Sequence, residues 1–440
     1  MTEMSRQTTE SRKVDELLSE ATARTYSRRQ AVLRGLALGL SLPAMKAVLA
    51  SPVFAQDSSA SPASGGPVDV PIVGKQMTFD DVKAAIAQEK EVNVANWTYI
   101  ASPQLVERFQ QYVKDVYGED IKVNYGQSQQ PSTYLTDLFT AVQSGDSSPW
   151  DVMAIEENYW AQVQLQSKNE STKYMEDFLP SGLIPNADRV MDSLKHLPTA
   201  IGFQASATPG ITYRKSKYDF LTDWKDLADE RLKGKLLLWL PGDITGGGFL
   251  LGLASSLGKD YHDPAQMQEV IDYAVKNIGP NALKYTAQFS EAQQLYESGA
   301  VDVVTFWNSF ARLEYLNGDA DAAFLVAASG QYAVNGFLWI PVKPAHPVLA
   351  QVFIDWRLDD DAQFPDIDTW GITKGAWAEL QEGFLGPSYE GLVPDWIKDV
   401  YFNYYPTIEQ LGTSYKTVEW DYLAEHAPEW YDKWLQGIGL

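Results

Sequence analysis

Val301–Ser309 reads VDVVTFWNS. Four of its first six residues are apolar, and those four are β-branched or aromatic, the composition of a largely buried strand in a parallel sheet. Just before it, Ser290–Gly299 (SEAQQLYESG) carries a short helical pattern closed by glycine, the residue a helix C-terminus favours. Just after it come Trp307, Asn308 and Ser309. Ligands of open α/β sheets sit beyond the carboxyl ends of the strands, so an indole, an amide and a hydroxyl stand where a ligand is read. The plain alternative is that Trp307 only caps a core.

Other stretches end the same way. Val92–Trp97 (VNVANW), Ile121–Tyr125 (IKVNY) and Trp150–Ile155 (WDVMAI) read as strands. Between them lie a helix opened by Ser102 and Pro103, with apolar residues at helical spacing up to Gly118, and an amphipathic helix over Pro131–Gly145. This alternation predicts an α/β fold with parallel strands and right-handed crossovers. Lys235–Leu240 (KLLLWL) is a further strand, breaking into Asp243, Thr245 and Gly246–Gly248 ahead of an apolar helix at Phe249–Leu257. Asp263 and Pro264 open the next helix. Ala200–Tyr213 and Phe324–Pro341 are extended and lack helical period, as two crossings between lobes would be. Val348, Leu349, Val352, Phe353 and Trp356 define a helix returning to the first lobe, and six tryptophans beyond residue 360 suggest a helical C-terminal layer.

The expected organisation is a signal at residues 1–55, a linker and N-terminal extension at 56–89, lobe one at 90–205 plus 338–440, and lobe two at 206–337. Ser27-Arg28-Arg29-Gln30-Ala31-Val32-Leu33 resembles a twin-arginine export motif, and the apolar run after it, broken by Arg34 and Lys46, is unsuited to a membrane span. Val53-Phe54-Ala55 fits a cleavage site, so the mature chain is expected in the periplasm without membrane insertion. Gln56–Gly74 has a linker's composition.

Formal net charge is −23, and the chain beyond residue 55 carries 27 Lys and Arg against 53 Asp and Glu. An acidic body argues against nucleic acid or anionic membrane as partner. With no cysteine there is no disulfide, thiolate metal site or lipid-modified cysteine. The four histidines, His196, His262, His346 and His426, are far apart, so neither a metal nor a cofactor is expected, and no nucleophile-elbow, zincin or P-loop motif occurs. Four strand ends carry polar and aromatic groups instead: Trp97 and Tyr99; Glu156, Asn158 and Tyr159; Asp243, Thr245 and Gly247; Trp307 and Asn308. Acidic groups beside rings hold organic cations, while bare glycine amides opening a helix take a carboxylate or phosphate.

Taken together, Asn96-Trp97, Trp150-Asp151-Val152, Asp223-Trp224-Lys225-Asp226-Leu227, Lys233-Gly234-Lys235, Glu297–Val303 and Ile340-Pro341 followed by His346-Pro347 resemble the solute-binding proteins of bacterial ABC importers. The resemblance runs from about Val92 to Leu358 and is to the spermidine/putrescine-type branch. It implies a type II periplasmic-binding-protein-like fold of two lobes around a ligand cleft, a small polar solute, delivery to permease subunits, a monomer, and no catalysis. The polyamine pocket carries over onto Trp97, Tyr99, Glu156, Asn158, Asp243 and Trp307. Asn335-Gly336-Phe337 stands where polyamine binders have an acidic residue, which adds Asn335 to the candidate site. A small carboxylate, phosphonate or sugar is the alternative ligand, and a glycoside hydrolase using Glu156 and Asp243 the alternative of another class.

Overall fold

Two sheets, each with its own core, organise the chain in the computed structural model, which describes residues 12–15, 17–19, 66–96, 103–126, 131–190, 192–240, 244–359, 414–416 and 418–440. The export motif, the cleavage site and most of the linker lie outside these residues.

The chain opens with the hairpin β1 (Val68–Val70) and β2 (Lys75–Met77), then α1 (Phe79–Glu89), capped by a reciprocal bond pair between Thr78 and Asp81. There follow β3 (Glu91–Ala95), α2 (Pro103–Tyr117), β4 (Lys122–Tyr125), α3 (Ser132–Ser144), β5 (Val152–Glu156) and α4 (Glu157–Glu170). Next come β6 (Lys195–His196), β7 (Ala200–Ala207) and β8 (Pro209–Arg214). Then come β9 (Leu236–Trp239), α5 (Ile244–Ser256), α6 (Pro264–Tyr273), β10 (Ala282–Thr286), α7 (Phe289–Glu297), β11 (Val303–Trp307) and α8 (Asn308–Leu316). The chain closes with β12 (Ala322–Leu325), β13 (Gln331–Tyr332), β14 (Val334–Trp339), α9 (Pro347–Leu358), β15 (Tyr415–Lys416) and α10 (Trp420–Ile438).

The first sheet runs β4-β3-β5-β14-β7-β6 and the second β10-β9-β11-β8-β12. Each begins with three parallel strands in the order second, first, third. The third strands, β5 and β11, are buried throughout, because helices cover both faces of a parallel sheet. Gly299 (φ 71°) closes the turn after α7 as its position suggests, and Asp263 accepts the Ala265 and Gln266 amides at the start of α6.

The extended segments are the crossings. β7 belongs to the first sheet and β8 to the second, with Thr208 alone between them. The return runs from β12 in the second sheet to β14 in the first. Against the parallel expectation, β14 is antiparallel to β5 and β8 is antiparallel to β11. A strand that arrives from the other lobe enters its sheet from the opposite end.

Two segments lie elsewhere than the sequence suggests. Of the segment expected as linker and N-terminal extension, residues 66–89 pack onto the first core: Val70, Met77, Val82 and Ile86 are buried there, their apolar spacing masked by the polar residues around them. Helix α10 joins the second core, not the first, through Trp420, Leu423, Ala427, Trp430 and Trp434, and it also packs on α4. Strand β15 pairs with β13 beside the return crossing.

Helix α9 is buried along nearly its whole length in the first core, and its N-terminus is held by carboxylates. Glu89 accepts the Val348 and Leu349 amides at 3.1 and 2.7 Å, while buried Asp151 accepts the amide of His346 and pairs with its ring at 2.8 Å. Burial outweighs the two amides at Glu89 and pushes its carboxyl up to about 7. A raised carboxyl contributes stability below its unfolded value of about 4.5 and loses it as pH climbs to about 7. Melting followed from pH 5 to 7.5 should therefore show a downward component that Glu89→Gln flattens. Parallel curves for the two proteins would remove Glu89 as the cause.

Candidate functional site

The carboxyl ends of β5 and β11 are equivalent positions, each the third strand of its parallel triplet and each running into a helix with no loop between. Glu156 (ψ 154°) is the N-cap of α4, and Trp307 (ψ 150°) is the N-cap of α8. Neither side chain caps its helix, so the positive end of each helix dipole faces the strand end without a neutralising cap side chain. The crossings link these ends along the chain: Glu156 lies opposite Gly336, which pairs with Gln204, and Trp307 lies opposite Pro209. Gln204 to Pro209 is roughly 16 Å of extended chain.

Glu156 is 9% exposed at its strand end. Tyr159 belongs to the first core and Trp307 to the second, so both rings are anchored by packing. Around Trp307, Trp239 at the end of β9 sits 4.1 Å from the ring of Phe306.

Asn308 holds the outgoing crossing. Its side-chain oxygen accepts the Thr208 amide at 3.3 Å, and its own amide donates to the Thr208 carbonyl at 2.9 Å. Gln331, fully buried and not singled out from sequence, ties the two crossings together. Its side-chain nitrogen donates to the Pro209 carbonyl at 2.5 Å, and its oxygen accepts the Ala327 amide at 3.4 Å.

Asn335 lies where the pairing of β14 with β7 slips register. Its amide donates to Glu157 at 3.3 Å, and the other Glu157 oxygen is 2.5 Å from Nε2 of His196. The His196 ring stacks on Trp160 at 4.0 Å and on Phe337 at 4.8 Å. Sequence distance hid this cluster, since 39 residues separate His196 from Glu157.

The glycines at the start of α5 serve packing. A Cβ on Gly248 would come within 2.7 Å of the Pro209 ring, and one on Gly252 would strike the Trp224 ring. The glycines therefore let the helix lie against the crossing. Gly247 is buried in the same turn. Asn158 turns from the strand end towards α10. Trp97, Tyr99 and Asp243 lie outside the described residues, as does the side chain of Thr245. Among the described residues, no group of three or more acidic or histidine side chains is placed to hold a metal, and no helix is long and apolar enough to cross a membrane.

A family model described as bacterial extracellular solute-binding protein matches residues 102–364. No relative was found among curated proteins. Solved structures with the same fold include the spermidine/putrescine ABC transporter substrate-binding protein of Streptococcus pneumoniae, at 18% identity and a TM-score of 0.59 over 79% of this chain and 98% of that one. An ABC transporter substrate-binding protein from Bradyrhizobium japonicum matches at 15% identity and 0.57, over 79% and 99% of the two chains. A periplasmic binding protein from Actinobacillus pleuropneumoniae with fructose-6-phosphate bound matches at 16% and 0.55, over 80% and 99%.

Proposed function

Because this chain belongs to the bacterial extracellular solute-binding proteins, we propose that it captures a small polar organic solute between its two lobes and delivers it, unchanged, to the permease of an ABC importer. The observation that carries the reading is the pairing of equivalent strand ends, one offering the Glu156 carboxylate and the other the Trp307 indole. A carboxylate and an indole suit an organic cation, by ion pairing and by cation–π attraction. A polyamine-like solute is favoured, in keeping with the acidic body and with the solute named for the Streptococcus pneumoniae protein. A solute that engages both lobes stabilises the closed state by its differential affinity for it.

A small acid is the second reading. The first turn of α8 carries no acidic residue, so the positive end of its dipole favours a carboxylate or phosphate. Export through the twin-arginine-type leader to the periplasm belongs to the same proposal. Lobe one is built on the first sheet and lobe two on the second.

A thermal-shift screen of polyamines, amino acids, sugar phosphates and small acids on periplasmic protein tests the reading, and the mass of that protein should correspond to cleavage after Ala55. A true solute at a hundredfold excess over Kd adds about 2.7 kcal/mol of stability. Glu156→Gln should weaken a cation roughly ten- to a hundredfold, as a charge-assisted bond is worth about 1.5–3 kcal/mol, and leave an acid level or tighter. Turnover of any stabilising compound, or affinities indifferent to both Glu156→Gln and Trp307→Ala, would overturn it.

A further inference from the structure

Helix α10 does not close fully on α4. Between them lies a groove of about 320 Å³, at the small end of the range for ligand pockets. Asn158 and Gln162, one turn apart on α4, form one wall, and Trp420, Leu423, Tyr431 and Asp432 contribute to the other. Among the described residues at the strand ends, only Asn158 reaches it.

Its polar groups point to one chemistry. Asn158 is 7% exposed, and its side-chain oxygen is buried with no hydrogen-bond partner. A buried acceptor is nearly always satisfied in a folded protein, so one left open beside a cavity marks a place for a donor. Pro428 removes one donor from the helix wall. It stands inside α10 and has no N–H to give the carbonyl of Ala424, one turn earlier, and both residues line the groove. Asp432 adds an exposed carboxylate, and among the described residues no Lys, Arg or His lines the space.

We propose that this groove is a second binding site, one that takes an aliphatic ammonium ion. The ammonium group brings several donors and a positive charge to Asn158, Ala424 and Asp432, while its alkyl body lies along Trp420 and Leu423. A carboxylate has no donor to offer, and both it and a phosphate meet Asp432 with like charge. Asn158, mapped from the resemblance onto the polyamine pocket, is thereby assigned to this groove, while the solute reading rests on Glu156 and Trp307.

Calorimetry on the mature chain with hexylammonium, hexanoate and hexan-1-ol tests it. Hexylammonium should bind, hexan-1-ol at least tenfold more weakly, and hexanoate not at all. Asn158→Leu should weaken hexylammonium at least tenfold, Asp432→Asn several-fold, and Ala424→Phe, which fills the groove from its partly exposed side, should abolish binding. On a Glu156→Gln background, which removes the charge of the solute site, hexylammonium should still bind and should still be lost with Ala424→Phe. The rim substitutions keep the test open if Asn158→Leu folds poorly. Equal binding of hexanoate, no binding of hexylammonium, or binding lost with Glu156→Gln but indifferent to Ala424→Phe would each overturn the proposal. The solute reading would stand or fall on its own screen.

Discussion

A chain ending at residue 413 should lose the fold of its second lobe and keep that of its first. Helix α10 supplies Trp420, Leu423, Trp430 and Trp434 to the second core, and Trp434, 1% exposed, lies 5.0 Å from the ring of Phe249. Gly437 lies close to the Val275 side chain, so the helix seats without a gap near its end. Truncating one buried Phe or Trp to Ala costs about 3–5 kcal/mol. Losing three tryptophans at once thus removes about 10 kcal/mol, as much as a whole domain's usual margin of about 5–15 kcal/mol. Strand β13 would also lose its partner, since the Gln331 amide donates to the Ser414 carbonyl at 2.8 Å. Scanning calorimetry should show the transition of the first core surviving while that of the second disappears, and limited proteolysis should cut within residues 209–325. Trp434→Ala alone should lower the second transition by about 3–5 kcal/mol. An unchanged melting profile for the truncated chain would mean that α10 only decorates the lobe.

Much of this architecture is legible in the sequence. VDVVTFWNS and WDVMAI were readable because strands covered on both faces become continuous apolar runs, a strong signal in a short window. The crossings were readable for the opposite reason, as extended segments with no period. Local pattern failed where partners are distant. Nothing near Trp434 says which lobe it packs against, because amphipathic spacing names a buried face and not its neighbour. The strand ends are legible in the sequence, but the contacts their side chains make within the protein are not. Asn308 faces the backbone of Thr208, and Asn335 faces Glu157, contacts made across 100 and 178 residues. Polar residues beside a hinge and polar residues beside a ligand look alike in sequence, since both occur at strand ends with apolar neighbours. Gln331 carried no motif at all, and only the register of two crossings gives it a role.

That role sets up the change expected to do most to the working of the hinge, Gly210→Val. Gly210 lies on β8 opposite Phe306, one residue past Pro209. A Cβ there would overlap the ring of Phe324 on β12 and stand 2.8 Å from the side-chain nitrogen of Gln331. Gln331 is fully buried and cannot retreat, while the half-buried Phe324 would have to swing its ring away from a backbone fixed in the pairing of β12 with β8. Overpacking of this kind costs about 1–3 kcal/mol. Displacing Gln331 leaves its amide and the Pro209 carbonyl unpaired for about 1–3 kcal/mol more. The damage falls on the point where the outgoing and returning segments are tied, so Gly210→Val should lower both the melting temperature and the solute affinity, the latter at least tenfold. Gln331→Leu separates the two causes. It keeps the volume and removes the hydrogen bonds, so it should weaken solute binding with a smaller loss of stability. If Gly210→Val leaves affinity intact while the protein melts earlier, the tie between the crossings serves folding alone and closure is governed elsewhere.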